Sequence, residues 1–247
     1  MYLYGKLSKL IIRHPIELTQ VTHRFSDRPV LAAISHSFLP EKVTVILGKS
    51  GSGKSTLLQI INGMIKPDEG QVNLFGEPTD YHNIHALRLK MGYVVQQIGL
   101  FPHLTIDQNI GLLGKITHKP EEAIRKRVGY LMEMVQLPLR HLGKYPHELS
   151  GGEQQRAGLC RAMLLEPPVL LMDEPFASLD YETKHGIYQH LLTIQKNEPR
   201  TIVLVSHDWE EATTLADRFV WLHDGKVRAS GDKTELDHVR TTYVSKG

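Results

Sequence analysis

Gly48 to Ser55 reads G-K-S-G-S-G-K-S and satisfies the pattern G-x-x-x-x-G-K-[ST]. The chemistry of that pattern is phosphate binding. Gly48, Gly51 and Gly53 can take backbone angles closed to other residues and let N–H groups converge on phosphate oxygens. Lys49, Ser50 and Ser52 fill the loop between them, and Thr56 follows it. Lys54 would reach the β- and γ-phosphates of a nucleotide, and the Ser55 hydroxyl would ligate Mg²⁺. A glycine-rich surface turn could share this composition, so the flanks decide. Upstream, Lys42-Val43-Thr44-Val45-Ile46-Leu47 is a short apolar run rich in β-branched residues, as a buried strand should be. Downstream, residues 54–62 predict a helix that stops at Gly63. The N-terminus of that helix would add partial positive charge to the loop.

A second run, L-S-G-G-E-Q-Q, begins at Leu149 and precedes a helical stretch from Arg156 to Leu165. Ser150 and Glu153 have the spacing of a capping box, so a helix should start there. Capping alone does not explain Gly151 and Gly152. They lower helix propensity and leave bare backbone N–H groups at a helix N-terminus, a second place for an anion.

With these two landmarks the chain resembles the ATP-binding cassette (ABC) family, over nearly all of its length. L-S-G-G-E-Q-Q is similar to that family's signature. Val169 to Met172, followed by Asp173-Glu174-Pro175, resembles the Walker B strand and its carboxylates. Ser178-Leu179-Asp180 resembles the D-loop, and Thr201 to Ser206 ending at His207 resembles the strand and switch histidine. Gln96 looks like the Q-loop glutamine; Gln97 also follows Val95, and the usual family spacing favours Gln96. Phe25 is placed like the aromatic residue that stacks on adenine, although an aromatic there would serve equally in a core.

The resemblance implies ATP and Mg²⁺ as cofactors. It assigns Glu174 to the attacking water, His207 to the γ-phosphate, and Gln96 to Mg²⁺ or the water. Asp173 ends a strongly apolar strand, so its carboxylate should emerge at the carboxyl edge of a sheet, where open α/β sheets bind ligands. By resemblance it holds Mg²⁺ through water. Two acids after a strand also suit a helix start on charge alone. The signature of the family serves a second copy of the chain. Ser150, Gly151 and Gly152 would meet the γ-phosphate held by that copy, and Asp180 would communicate across the head-to-tail interface.

The elements needed to position these residues follow from periodicity. A chain of 247 residues suffices for one large domain, or a core with a subdomain. Residues 1–15 are expected as an N-terminal extension and 16–247 as the ATPase domain. Residues 16–47 alternate in the manner of short antiparallel strands, with a turn at Asp27-Arg28-Pro29. Gln71–Phe75 and Met91–Val95 are candidate strands flanking a turn region at Gly76-Glu77-Pro78. Residues 97–165 read as an inserted helical subdomain, with Ile124, Val128, Leu131 and Val135 at helical spacing. Strand and helix then alternate to about residue 235, which implies a mostly parallel sheet. The fold class is therefore α/β: a P-loop NTPase core, an N-terminal antiparallel β subdomain and an inserted helical subdomain.

Residues 1–13 place Leu3, Leu7, Leu10 and Ile11 at helical spacing among Lys6, Lys9 and Arg13, and Pro15 would end such a helix. The segment reads as a basic amphipathic face for a membrane or partner, or as a locally docked terminus. It lacks the apolar core and cleavage site of a signal peptide.

A net charge of +2 gives no reason to expect nucleic acid as a partner. The single cysteine, Cys160, excludes an internal disulfide. No apolar run approaches the ~20 residues of a membrane span. The histidines lack metal-ligand pairing; His82 and His85 at most share a solvated helix face. One cassette with no span reads as a separate ATPase subunit at the cytoplasmic face of the membrane. Its partners would be a second ATPase copy, permease subunits and, indirectly, an extracytoplasmic substrate-binding protein. The competing reading is a soluble ABC ATPase acting on DNA or the ribosome. DNA-acting members separate loop and signature by long coiled coils, for which the interval from Lys54 to Ser150 is too short. Ribosome-acting members carry two cassettes.

The segment from Met91 to Ile106 closely resembles importers of quaternary-amine osmoprotectants such as glycine betaine, choline and carnitine. Tyr145 to Gly152 and Leu171 to Phe176 agree with that group. Ala177-Ser178 and Tyr181 depart from it, standing where a glycine-alanine pair and a proline are common. Many of those subunits also carry C-terminal regulatory CBS domains, and residue 247 falls near where they would begin. Import of amino acids or another small solute stays open, since no residue here would touch the substrate.

Overall fold

The structure is a computed structural model and describes residues 14–26, 28–96, 99–177 and 179–244. The amphipathic reading of residues 1–13, the alternative glutamine Gln97 and the D-loop residue Ser178 fall outside them. The chain forms two compact units, Met1–Arg88 with Thr201–Gly247, and Leu89–Arg200. The first unit opens with β1 (Ile16–Phe25), β2 (Arg28–Phe38), β3 (Val43–Leu47), α1 (Lys54–Ile61), β4 (Glu69–Leu74), β5 (Glu77–Pro78) and α2 (Ile84–Arg88). The second comprises β6 (Met91–Val94), α3 (Ile106–Ile116), α4 (Glu121–Met134), α5 (Gly151–Met163), β7 (Val169–Asp173) and α6 (Tyr181–Asn197). The chain then returns to the first unit with β8 (Thr201–Ser206), α7 (Trp209–Leu215), β9 (Arg218–His223), β10 (Lys226–Asp232) and α8 (Leu236–Val239).

In the first unit β3 is buried at every residue and pairs in parallel with β8 on one side and β9 on the other. A strand enclosed in this way must be apolar on both faces, hence the unbroken run from Val43 to Leu47. The order here is β10-β9-β3-β8. β10 is antiparallel to β9, joined by Asp224-Gly225 with φ of 48° and 68°. Positive φ at both central residues is the type I′ hairpin turn, and Asp-Gly is its favoured pair. The second sheet of this unit is antiparallel, in the order β2-β1-β4-β5. Its turn falls one residue earlier than the sequence predicts. Phe75 and Gly76, with φ of 56° and 86°, reverse the chain, so Glu77 and Pro78 pair back on β4 as a short strand.

In the second unit β6 and β7 pair in parallel, Val94 opposite Met172. α4 buries Ile124, Val128, Leu131 and Met132 along one face. Gly114 of α3 lets that face approach closely, because a Cβ there would meet Ile124 Cγ1 at 2.7 Å. Glu198, just past α6, accepts from Arg127 Nη2 at 2.7 Å and from Arg200 Nη2 at 2.6 Å. It thereby clamps α4 to the end of α6 through two largely buried guanidinium groups. Cys160 lies buried on α5, and burial pushes its thiol up to about 12. Among the described residues, no helix is long and apolar enough to cross a membrane.

Candidate phosphate-binding site

The loop from Gly48 to Ser55 joins the carboxyl end of β3 to the N-terminus of α1. Its glycines are required by geometry. A Cβ on Gly48 would collide with the Leu222 carbonyl oxygen and lie 2.6 Å from Ser52 Oγ. Gly53 has φ +100°, and a Cβ there would press on Leu31 Cδ2 at 2.7 Å. Lys54 is only 4% exposed, and its ammonium donates to the carbonyls of Gly48 at 2.8 Å and Lys49 at 3.0 Å. The charge is thus held over the loop rather than in solvent. Ser52 Oγ is buried without a hydrogen-bond partner. A buried orphan hydroxyl beside a lysine, at a helix N-terminus, is a fit for phosphate oxygens. Ser55 and Gly51 are exposed, and Thr56 is half-buried in the first turn of α1.

The register of β8 on β3 sets Ser206 opposite Leu47, so His207 follows its strand where Gly48 follows β3. The backbone around His207 is pinned on both sides. Ser206 Oγ accepts from Asp208 N at 2.9 Å, and Asp208 Oδ1 caps α7 by accepting from Glu210 N at 2.8 Å. His207 is exposed and lines a hollow of about 590 Å³ with Trp209, Glu210 and Arg240. Phe25 stands at the hairpin end of β1, opposite Arg28, with its ring 53% exposed and edge-on to His23. That exposure rules it out as a core residue and leaves a ring face open to solvent.

The second unit holds the remaining predicted residues. Asp173 ends β7; burial, with the charge of Asp173 as a lesser cause, raises the phenol of Tyr93 to about 12. Glu174 follows with φ 42°, a left-handed conformation rare outside glycine. Such strain, of order 1–3 kcal/mol, collects at functional sites and re-aims a side chain. Phe176 packs edge-on against Tyr188 at 5.0 Å and anchors the segment after the acids onto α6. Gln96 is exposed just beyond β6. Ser150 caps α5 in the predicted box, and the Ser150 N–H holds the Glu153 carboxyl below its usual range. Asp180 caps α6 by accepting from Thr183 N at 3.0 Å and Thr183 Oγ1 at 2.7 Å, which lowers its own carboxyl.

Gly225, Thr183, Asn109 and Arg161 support these segments and escape the sequence reading. Gly225 N donates to Ser52 O at 3.2 Å, so the β9–β10 hairpin braces the phosphate loop; the Asp-Gly pair was a visible hairpin signal. A Cβ on Gly152 would run into Thr183 Cγ2, so this glycine also answers to packing against α6, which nothing local could reveal. Asn109, wholly buried, accepts from Phe101 N at 2.7 Å and donates to the carbonyls of Phe101, Leu104 and Thr105. Arg161 of α5 donates to Gly99 O at 2.7 Å and lies over the Phe101 ring. These two side chains build the 99–105 segment, and an isolated Asn or Arg carries no motif. Among the described residues, no cluster of His, Cys, Asp and Glu is placed to hold a metal by itself.

A phosphate loop of this geometry between a parallel strand and a helix defines a P-loop NTPase of α/β architecture. The chain belongs to the ABC transporter family, whose model matches residues 31–177. It is 45% identical over 190 residues to the glycine betaine/carnitine/choline transport ATP-binding protein OpuCA of Bacillus subtilis, covering 77% of this chain and 50% of that one. It is 39% identical over 217 residues to the glycine betaine uptake system ATP-binding protein YehX of Escherichia coli, covering 88% and 70%. The chain thus spans about half the length of the Bacillus subtilis relative. The dimeric bacterial ABC transporter cassette MJ0796 superposes with a TM-score of 0.81 at 33% identity, covering 88% of this chain and 98% of that one.

Proposed function

We propose that this chain is the ATP-hydrolysing subunit of an ABC importer, acting as a head-to-tail dimer at the cytoplasmic face of the membrane and driving uptake of quaternary-amine osmoprotectants through a permease. The observation that carries the reading is the loop from Gly48 to Ser55, closed to side chains at Gly48 and Gly53, with Lys54 drawn over it. The names of the relatives support the substrate class, and the dimeric cassette supports the second copy. Residues 16–247 act as the ATPase domain, with 97–165 as its helical part.

Lys54 and the loop amides neutralise the phosphates, which is most of what phosphoryl transfer asks of a protein. Ser55, Gln96 and Asp173 are the residues that would hold Mg²⁺, whose charge would offset that of the β- and γ-phosphates. Glu174 orients and activates the attacking water, His207 meets the γ-phosphate, and Phe25 stacks on adenine. Ser150, Gly151 and Gly152 present a hydroxyl and bare amides to the γ-phosphate of the other copy, with Asp180 at the same interface. The 99–105 segment, prebuilt by Asn109 and carrying the 42% exposed Phe101, receives a short permease element. A substrate-binding protein delivers the solute outside.

Glu174→Gln tests the chemistry. It should keep ATP binding, lower turnover by about 10³-fold and let ATP drive stable dimers. Vesicles with the permease and binding protein should accumulate labelled glycine betaine with the parental chain and not with this variant. Near-parental hydrolysis by the variant would remove Glu174 from its role. Uptake of a different solute alone would replace the substrate class.

A further inference from the structure

Ser150 has one hydroxyl hydrogen, and the structure gives it to Glu153. Its Oγ lies 2.9 Å from Glu153 Oε2, and its backbone N–H donates to the same oxygen at 2.8 Å. Oγ in turn accepts from Glu153 N at 3.3 Å. An ionised carboxylate only accepts, so the hydroxyl is the donor. Phosphate oxygens also accept. If Ser150 is to hold the γ-phosphate of a second copy, its hydrogen must leave Glu153. The carboxylate would then sit next to the phosphate with the Ser150 backbone N–H still bound but the hydroxyl donor gone, and two like charges at that range repel.

The other carboxylate oxygen has a neighbour suited to that step. Glu153 Oε1 lies 3.6 Å from His141 Nδ1, just beyond hydrogen-bond length. His141 is 4% exposed, and its Nδ1 is buried with no hydrogen-bond partner. Orphaned buried groups of this kind are few in a folded chain and call for an explanation. His141 closes a 3-10 turn, Leu139–His141, and the residues after it accept the first N–H groups of α3: Asp107 N to Leu142 O at 3.0 Å, and Ile106 N to Lys144 O at 2.8 Å. The ring therefore stands on a fixed backbone, and Glu153 is the side chain able to travel. Arg156 is the other charged group acting on Glu153.

We propose that His141 is a positioning residue for the signature serine, receiving the Glu153 carboxylate on its Nδ1–H as the Ser150 hydroxyl turns to the γ-phosphate of a second copy. The inference rests on the head-to-tail reading above. A shift of about 1 Å brings Oε1 into charge-assisted contact with Nδ1. Glu153 keeps the Ser150 backbone N–H throughout, so the cap of α5 persists while the hydroxyl is released.

The test uses the Glu174→Gln chain and reads the ATP concentration that gives half-maximal dimer by light scattering. His141→Phe fills the site with a ring and no donor. It should raise that concentration about tenfold, the loss of one charge-assisted hydrogen bond. Nucleotide affinity of the monomer should not change. His141→Asn places an N–H where Nδ1 stands and should restore the parental value. Glu153→Gln removes the charge that has to move, so it should dimerise at parental ATP or below, and His141→Phe should then add nothing. Parental behaviour of folded His141→Phe, equal impairment in the Phe and Asn variants, or a Phe effect undiminished beside Glu153→Gln would each overturn the proposal. Should His141→Phe not fold, a tenfold rise in Glu153→Gln alone would overturn it too. If the Glu174→Gln chain itself forms no ATP-driven dimer, the head-to-tail reading fails first, and the two failures are told apart by that control.

Discussion

At the residue scale the loop from Gly48 to Ser55 gathers a buried ammonium and glycines that no side chain could replace. Lys54 is held by two carbonyls, a position from which it can exchange them for phosphate oxygens without leaving the loop. Lys54→Ala should remove Mg-ATP binding as well as turnover, because it strips the only buried ammonium from the loop. Calorimetry on the folded variant should find affinity lower by at least about a hundredfold, and unchanged affinity would end the phosphate-loop role. The sequence is legible here because the motif is contiguous. Gly48, Gly53 and Lys54 are read from eight residues, and the capping of α5 from four. Thr183 against Gly152, His141 against Glu153 and Gly225 against Ser52 are contacts across many residues of chain. Pairings of that kind exist only once the backbone has folded, and no local pattern encodes them.

At the element scale, the alternation of apolar strands with helices conveyed a mostly parallel sheet, and β3 does pair in parallel with β8, though alternation alone does not say which strands are neighbours. It did not convey the antiparallel β10, because a hairpin interrupts the alternation. The two-residue β5 also escaped, being shorter than any periodicity can register. The α4–α6 clamp makes a prediction of its own. The Arg127 guanidinium, with Arg200 beside it, draws the Glu198 carboxyl down to about 2 from an ordinary value of 4.5. A depressed folded-state value means stability fully present above the ordinary value and lost as pH falls toward about 2. Glu198→Gln leaves the Arg127 and Arg200 guanidinium groups with only the more exposed Glu166 as counter-charge and should destabilise the chain by about 3 kcal/mol at neutral pH. Chemical denaturation at several pH values should show that difference shrink as pH drops through the glutamate range. A difference that stays constant would show that Glu198 is not the counter-charge.

For the whole molecule, the decisive question is whether a signature serves its own chain or another. Mixing a Ser150→Arg chain with a Lys54→Ala chain answers it. In a head-to-tail pair one site takes Lys54 from the first chain and the signature from the second, so it is intact. ATPase activity should therefore return in part on mixing. Activity no greater than the sum of the separate chains, with no ATP-dependent crosslink between cysteines placed at Ser52 and Ser150, would count against the arrangement.

Cys160 gives the molecule a reporter that needs no engineering. It is the only cysteine in the sequence, it lies buried on the helix that carries the signature, and its thiolate is strongly disfavoured. A maleimide can reach it only when α5 opens, so the rate of alkylation measures local unfolding of that helix. Each 1.4 kcal/mol of opening free energy slows labelling about tenfold. A ligand that orders α5 should protect the thiol in proportion, and a cysteine introduced on the surface should react first in the same tube.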